Sequence, residues 1–94
     1  MENKYIDIFI KNMPTLDLHG ETRDFVPPLV KDFINVNYML GKDKIIIIHG
    51  RSGGVIKQAL HQYLKTETRV KKYYVYNMND GITIVELKQE IKFI

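Results

Sequence analysis

The sequence predicts a single α/β domain in which strands alternate with helices and an antiparallel hairpin completes a mixed sheet. Three observations predict it. Lys44 is followed by four isoleucines, Ile45 to Ile48, which stop at His49-Gly50 and lead through Arg51-Ser52-Gly53-Gly54 into apolar residues at helical spacing, positions 55, 56, 59, 60, 63 and 64. A shorter stretch, Thr15-Leu16-Asp17-Leu18, also stops at a His-Gly pair, His19-Gly20, and also precedes a helical pattern. An Asp80-Gly81 turn signal then separates two runs rich in β-branched and aromatic residues, Tyr73 to Tyr76 and Ile82 to Leu87.

Tyr5 to Ile10 alternates well enough for a short edge strand within an N-terminal extension, residues 1–14, and Asn12-Met13-Pro14 breaks it. The core of the domain is expected over about residues 15–88. Pro27 and Pro28 lack amide donors and fit the first turn of a helix, placed here from about residue 25 to residue 40 and stopped by Gly41. Its apolar face is expected to be Leu29, Val30, Phe33, Ile34, Val36 and Leu40. The isoleucine run is too short for an independent helix and too β-branched to prefer one, so it reads as a strand buried on both faces. A second helix is expected over about 54–66, then the tyrosine strand after Lys71-Lys72 and the returning hairpin strand. Lys88 to Ile94 fits either an extended strand or a loose end.

Strands joined by a crossover helix run parallel, and the crossover is right-handed. The ends at His19 and His49 should therefore reach the same edge of the sheet, within a strand spacing or two of about 4.8 Å each. That carboxyl edge is where open α/β sheets bind ligands.

Composition narrows the function classes. The chain has 94 residues, 45% of them hydrophobic, which is enough for one small globular core. It has no cysteine, which excludes a disulfide framework and cysteine-based zinc, and makes an intracellular, cytoplasmic address the simplest expectation. No apolar run approaches the roughly 20 residues of a membrane span, and Met1-Glu2-Asn3-Lys4 lacks the order of a signal peptide. A net charge of +3 is compatible with nucleic acid without implying it.

The glycine loop offers the unpaired first amides of a helix to an anion, and Arg51 and Lys57 add positive charge there, so a phosphate-bearing ligand is expected. The loop matches neither G-x-x-x-x-G-K-[ST] nor G-x-G-x-x-G, which removes support from nucleotide hydrolysis and dinucleotide redox chemistry. His19 and His49 read as paired acid/base or phosphate-contacting groups, against the alternative of inert strand caps. Asp17, two residues before His19, points to the same side of an extended strand and either orients the imidazole, acts as a base, or pairs with a lysine. Metal binding by Asp17, His19 and His49 is a further alternative that rests on no sequence spacing. His61 lies off the apolar helix face and reads as solvent-facing. At least two of Tyr73, Tyr74 and Tyr76 are expected to be half-buried sheet rather than a stacking platform, and Glu86 a surface strand residue.

Asp17-Leu18-His19-Gly20 with Thr22, the Ile45 to Lys57 strand, loop and helix, and Asp80-Gly81-Ile82-Thr83-Ile84-Val85-Glu86-Leu87 together resemble the Smr domain, named for small MutS-related proteins. The resemblance runs from about Leu16 to Lys88. It implies a two-layer α/β sandwich with a mixed four-stranded sheet and two helices, similar to the C-terminal domain of bacterial translation initiation factor three. It also implies a nucleic-acid-binding and often nucleolytic domain, whose two motifs fall here on Asp17, His19 and Gly20, and on His49, Gly50 and Gly54. This sequence departs from the family loop at Ser52, where glycine is common, and at Gly53, where a hydroxyl residue is frequent. Smr domains occur within larger MutS-like ATPases and as short proteins; Met1 and the extra N-terminal strand favour a short protein.

The expected function is nucleic-acid binding with endonuclease, or nicking, activity on DNA or RNA. His19 would be the acid/base or water-activating group and Asp17 its partner. His49 would be a second catalytic imidazole or part of a phosphate clamp with Arg51, Ser52, Gly53, Gly54, Lys57 and the loop amides. A divalent metal and a metal-free route, in which a ribose 2′-hydroxyl attacks, both remain open. The alternatives are a non-catalytic module that docks on structured nucleic acid or a ribosome, and a protein-interaction domain using an exposed sheet face.

Overall fold

The computed structural model of the chain describes residues 12–51 and 54–89. The strand expected at Tyr5 to Ile10, the loop residues Ser52 and Gly53, and the tail from residue 90 lie outside the described residues. The element order is β1 (Thr15–Asp17), a 3-10 turn (Arg23–Phe25), α1 (Val26–Met39), β2 (Lys44–Ile48), α2 (Val55–Leu64), β3 (Val70–Val75) and β4 (Ile82–Leu87). The strands form one four-stranded sheet in the order β1-β2-β4-β3. β1 is parallel to β2, and β4 runs antiparallel to both of its neighbours. Both helices cover one face of this mixed sheet, the two-layer α/β arrangement expected.

The isoleucine run is buried on both faces, as its composition predicts. Ile45, Ile46 and Ile47 have no exposed surface. Ile45 and Ile47 join Val85, Leu87 and the helix residues in one cluster, while Ile46 points to the opposite side of the sheet. Each such side chain contributes about 1.5–3 kcal/mol by leaving water, so β2 is the strand on which the rest is laid.

In α1 the two prolines occupy the first turn, where no amide donor is missed. Gly41, at φ +78°, closes the other end, with its N–H donating to Tyr38 O and that of Lys42 to Asn37 O. The core-facing stripe differs from the expected one. Val26, Val30, Ile34 and Asn37 are buried and Phe33 is half-buried, whereas Leu29, Val36 and Leu40 are exposed alongside Phe25 and Met39. A helix lying on a sheet buries an arc only a little over 100° wide. The 26-30-34-37 row fills that arc, so the remaining apolar residues face out.

In α2, Ala59, Leu60 and Leu64 are buried and Ile56 and Tyr63 pack against them, while Val55 is half-exposed. The chain leaves α2 through a clamp: Arg69 bonds both Glu67 carboxylate oxygens, at 2.9 and 3.0 Å, and reaches Asn35 Oδ1 on α1 at 2.9 Å. The guanidinium holds the Glu67 carboxyl down at about 2. Burial and the bond to Glu67 push the Tyr63 phenol up to about 12. β3 begins earlier than expected, at Val70, and takes in Lys71 and Lys72 across a bulge. Exposed lysines and a bulge are common devices of an edge strand, which β3 is among the described residues. Tyr73 packs on the core and Tyr76 is half-buried, while the more exposed Tyr74 donates to Glu86 Oε2. Glu86 is half-buried and also pairs with Lys72 at 3.8 Å, so it is more than a free surface charge.

Candidate functional site

β1 and β2 end side by side at one edge of the sheet, with Asp17 opposite Ile48. The ladder continues through Leu18 N–H, which donates to Ile48 O at 2.7 Å, and this brings the two His-Gly corners together. A β-carbon at Gly50 would stand 3.5 Å from His19 Cδ2. The juxtaposition expected from the topology is therefore present. The two corners nevertheless present their imidazoles differently.

The first corner is open. Asp17, His19 and Gly20 are all exposed. Asp17 Oδ1 accepts the backbone N–H of His19 at 2.9 Å, and Glu21 N–H donates to Leu18 O at 3.0 Å, so an Asx-type turn turns the chain through Gly20 at φ +87°. The carboxylate thus braces the backbone under the imidazole rather than the ring. Neither ring nitrogen of His19 has a hydrogen-bond partner among the described residues.

The second corner is closed. His49 is only 5% exposed, because it shares the helix-facing side of β2 with Ile45 and Ile47. Its Nδ1 lies 2.9 Å from Gly50 O and its Nε2 lies 2.9 Å from Thr83 Oγ1, and Thr83 Oγ1 is in turn 2.9 Å from His61 Nε2. The partners fix the protons. A carbonyl only accepts, so His49 Nδ1 carries a hydrogen and donates to Gly50 O. Burial, aided by the nearby Lys57, lowers the His49 pKa and keeps the ring neutral, so Nε2 is bare and accepts the Thr83 hydroxyl proton. With that proton committed, Thr83 can only accept from His61, whose Nε2 is therefore the protonated nitrogen. The expectation of two imidazoles over one pocket is corrected: His19 faces water and His49 is consumed by this internal chain. His61 is corrected too, since it is half-buried, bonded to Thr83 and set edge-on to Tyr73 at 5.0 Å between ring centres.

The loop between β2 and α2 leans on the hairpin. The N–H groups of His49 and Gly50 both donate to Gly81 O, at 2.9 and 3.0 Å, so neither is available to an anion. Gly81 is tied by Asn79 Oδ1, and a β-carbon there would press to 3.2 Å on the Gly50 backbone and 3.3 Å on Arg51. A β-carbon would require these neighbours to give by a few tenths of an ångström, so glycine eases the close approach of the hairpin to the loop. Arg51 forms an exposed ion pair with Asp80 at 2.9 Å. Gly54, at φ +75°, caps α2 without a side-chain partner, and Gln58 N–H is bonded back to Gly54 O. The first amides of α2 are thus left uncapped by side chains beside Lys57, which has no ion-pair partner among the described residues.

Sequence reasoning missed the parts played by Thr83, His61 and Gly81. Register could have found Thr83, because a lone hydroxyl in a buried strand opposite Ile47 must meet a polar group on the helix side. His61 needed the tertiary packing of α2 and carried no signal in its own spacing.

The family profile of the Smr domain matches residues 16–88. The chain belongs to the Smr domain family. It is 37% identical over 78 residues to a protein of Lachnoclostridium phytofermentans named endonuclease MutS2, an alignment covering 80% of this chain and 10% of that protein. The protein of the same name from Geobacillus thermodenitrificans is 33% identical over 76 residues, 78% of this chain and 10% of the relative. This Smr domain therefore spans about one tenth of the length of those relatives. Among solved structures it resembles the Smr domain of Thermus thermophilus MutS2, with a TM-score of 0.78 and 24% identity over 81% of this chain and 99% of that one. It also resembles YdaL, a stand-alone small MutS-related protein of Escherichia coli, with a TM-score of 0.77 and 18% identity over 83% and 66% of the two chains. At these identities the two structures establish the shared fold. Among the described residues of this Smr domain, no three His, Asp or Glu side chains gather as a metal-holding group. No helix among them is long and apolar enough to cross a membrane.

Proposed function

We propose that this Smr domain binds nucleic acid across the carboxyl edge of its sheet and nicks a phosphodiester bond there, with His19 as the general acid/base. The observation that carries the reading is the His19 corner: an exposed imidazole with both ring nitrogens free among the described residues, beside a glycine loop flanked by Arg51, Lys57 and the uncapped start of α2. Membership of a family whose relatives include proteins named endonucleases supports it. His19 would take a proton from water or a ribose hydroxyl as the new P–O bond forms, and return one to the leaving oxygen. Lys57 and the amides of Val55 and Ile56 would stabilise charge on the non-bridging oxygens. Asp17 holds the backbone that carries His19. His49 keeps the loop in shape through Gly50 O and makes no contact with substrate.

One observation favours a second reading, a module that binds nucleic acid or a ribosomal surface without cutting it. Only one imidazole reaches the surface at this edge, so the described residues do not assemble the acid and base pair of a two-histidine mechanism. Nicking assays on single-stranded RNA, duplex DNA and branched DNA, with and without EDTA, decide between the two. Cleavage abolished in His19→Ala at unchanged affinity supports the first reading; salt-sensitive binding with no product supports the second.

A further inference from the structure

Beyond the loop, the polar face of α2 forms a shallow groove of about 360 Å³ lined by Gly54, Lys57, Gln58, His61, Gln62 and Lys65. Lys57, His61 and Lys65 follow one another at four-residue intervals, so they lie in one row about 12 Å long at roughly 1.5 Å per residue. Neither lysine has an ion-pair partner among the described residues, whereas Arg51, Arg69 and Lys72 all do. Two uncommitted ammonium groups thus flank an imidazole, and the row starts at the loop where the phosphodiester is proposed to sit.

The imidazole between them has an unusual task. The hydrogen-bond chain from Gly50 O through His49 and Thr83 leaves His61 with its proton on Nε2, pointing inward. Its Nδ1 is then a bare acceptor. It has no partner among the described residues, and no buried side-chain nitrogen or oxygen there lacks one, so Nδ1 is open to solvent. Burial, together with the charges of Lys57 and Lys65, lowers the pKa of the ring, so near neutral pH it stays an acceptor rather than becoming a third cation. A phosphate offers acceptors only and has nothing to give this nitrogen. A ribose 2′-hydroxyl is a donor, sits on the carbon next to the 3′-phosphate on the sugars of RNA, and is missing from DNA.

We propose that this α2 groove is a ribose-reading subsite for single-stranded RNA, in which Lys57 and Lys65 hold phosphates of one strand and His61 Nδ1 accepts the 2′-hydroxyl between them. The proposal rests on the nucleic-acid reading above and adds the choice of RNA over DNA. It concerns recognition and is independent of whether the bound strand is cut.

The test uses the full chain and short single-stranded RNA, DNA and 2′-O-methyl RNA of one sequence, with affinities read by fluorescence anisotropy. One hydrogen bond predicts that the unmodified RNA binds about three- to tenfold more tightly than either other probe. That preference should disappear in His61→Phe, which keeps the ring shape, while Lys65→Ala should weaken RNA and DNA alike and reduce the salt slope by about 0.7. Should His61→Phe fail to fold, the ¹⁵N resonance of His61 Nδ1 in the unaltered protein decides: it should shift with RNA and stay in place with 2′-O-methyl RNA. Equal affinities for the three probes, or a preference that survives in folded His61→Phe, overturns the subsite. If in that case binding is still lost in Lys57→Ala, the nucleic-acid reading stands without it; absence of binding to any probe overturns both.

Discussion

The two His-Gly corners of this domain share a sheet edge and a sequence pattern, yet one is built for contact with solvent and the other for support. At the first, Leu18 takes the buried place and the chain turns out through His19. At the second, the histidine directly follows the last strand residue, level with Leu18 rather than one residue beyond it, so it falls on the helix-facing side and Thr83 and Gly50 satisfy its ring. Strand alternation alone makes the difference. Equivalent motifs at equivalent ends of parallel strands therefore need not deliver equivalent side chains; the parity of the last buried residue decides.

The contrast is sharpest in the histidines themselves. His19→Ala should leave the melting temperature almost unchanged, since the side chain is exposed, yet reduce nicking by about 10²–10⁴-fold if it is the acid/base. His49→Ala should behave in the opposite order. It leaves the Thr83 hydroxyl and Gly50 carbonyl short of a partner and should cost about 2–3 kcal/mol in denaturant unfolding before any effect on turnover is read. Equal destabilisation by the two substitutions would break the distinction between the corners.

Thr83→Val probes the closed corner with less disturbance. The shapes match, but the hydroxyl that serves two imidazoles is gone, and an expected loss of about 1–3 kcal/mol follows from stranding His49 Nε2 and His61 Nε2–H. Acid titration reads the same network. Both ring pKa values lie below 6.5 in the folded state, so the unfolded chain binds more protons as the pH drops below that value. Stability should be full above pH 6.5 and fall as the pH descends toward the folded-state values, with the decline reduced in a folded His61→Phe protein. A separate fall should begin below pH 4.5, where Glu67, held at about 2 by Arg69, starts to protonate in the unfolded chain first. A stability profile flat between pH 7 and pH 5 would mean that the histidines are not held neutral.

Much of the fold was legible because local pattern and tertiary role agree. The isoleucine run, the proline-started helix, the Asp-Gly hairpin and the meeting of the two strand ends all follow from periodicity and connection rules. The outward apolar stripe of α1 did not, because a helix with more apolar residues than its packing arc can hold does not announce which row the sheet will take. The site divided along the same line. Residue types and their shared edge were readable, while exposure was not: His19 and His49 differ in which side of a strand they leave, and His61 enters only once α2 is laid over β4. Asp17 was placed on the right corner, but its partner is an N–H rather than an imidazole, a choice that the turn geometry makes and the spacing does not.

The smallest expected effects lie at Arg51 and Asp80, where hairpin and loop face each other across the closed corner. Both side chains are largely exposed, so the pair is screened and Arg51→Ala should change stability by less than about 0.5 kcal/mol. Its effect belongs to binding. In the free protein Asp80 competes with any phosphate for the guanidinium, so Asp80→Asn should tighten nucleic-acid binding while Arg51→Ala weakens it, each by a few-fold and each less at high salt. If Asp80→Asn weakened binding as well, the ion pair would be acting as a brace for the loop, and the closed corner would extend one residue further toward the ligand than the open one.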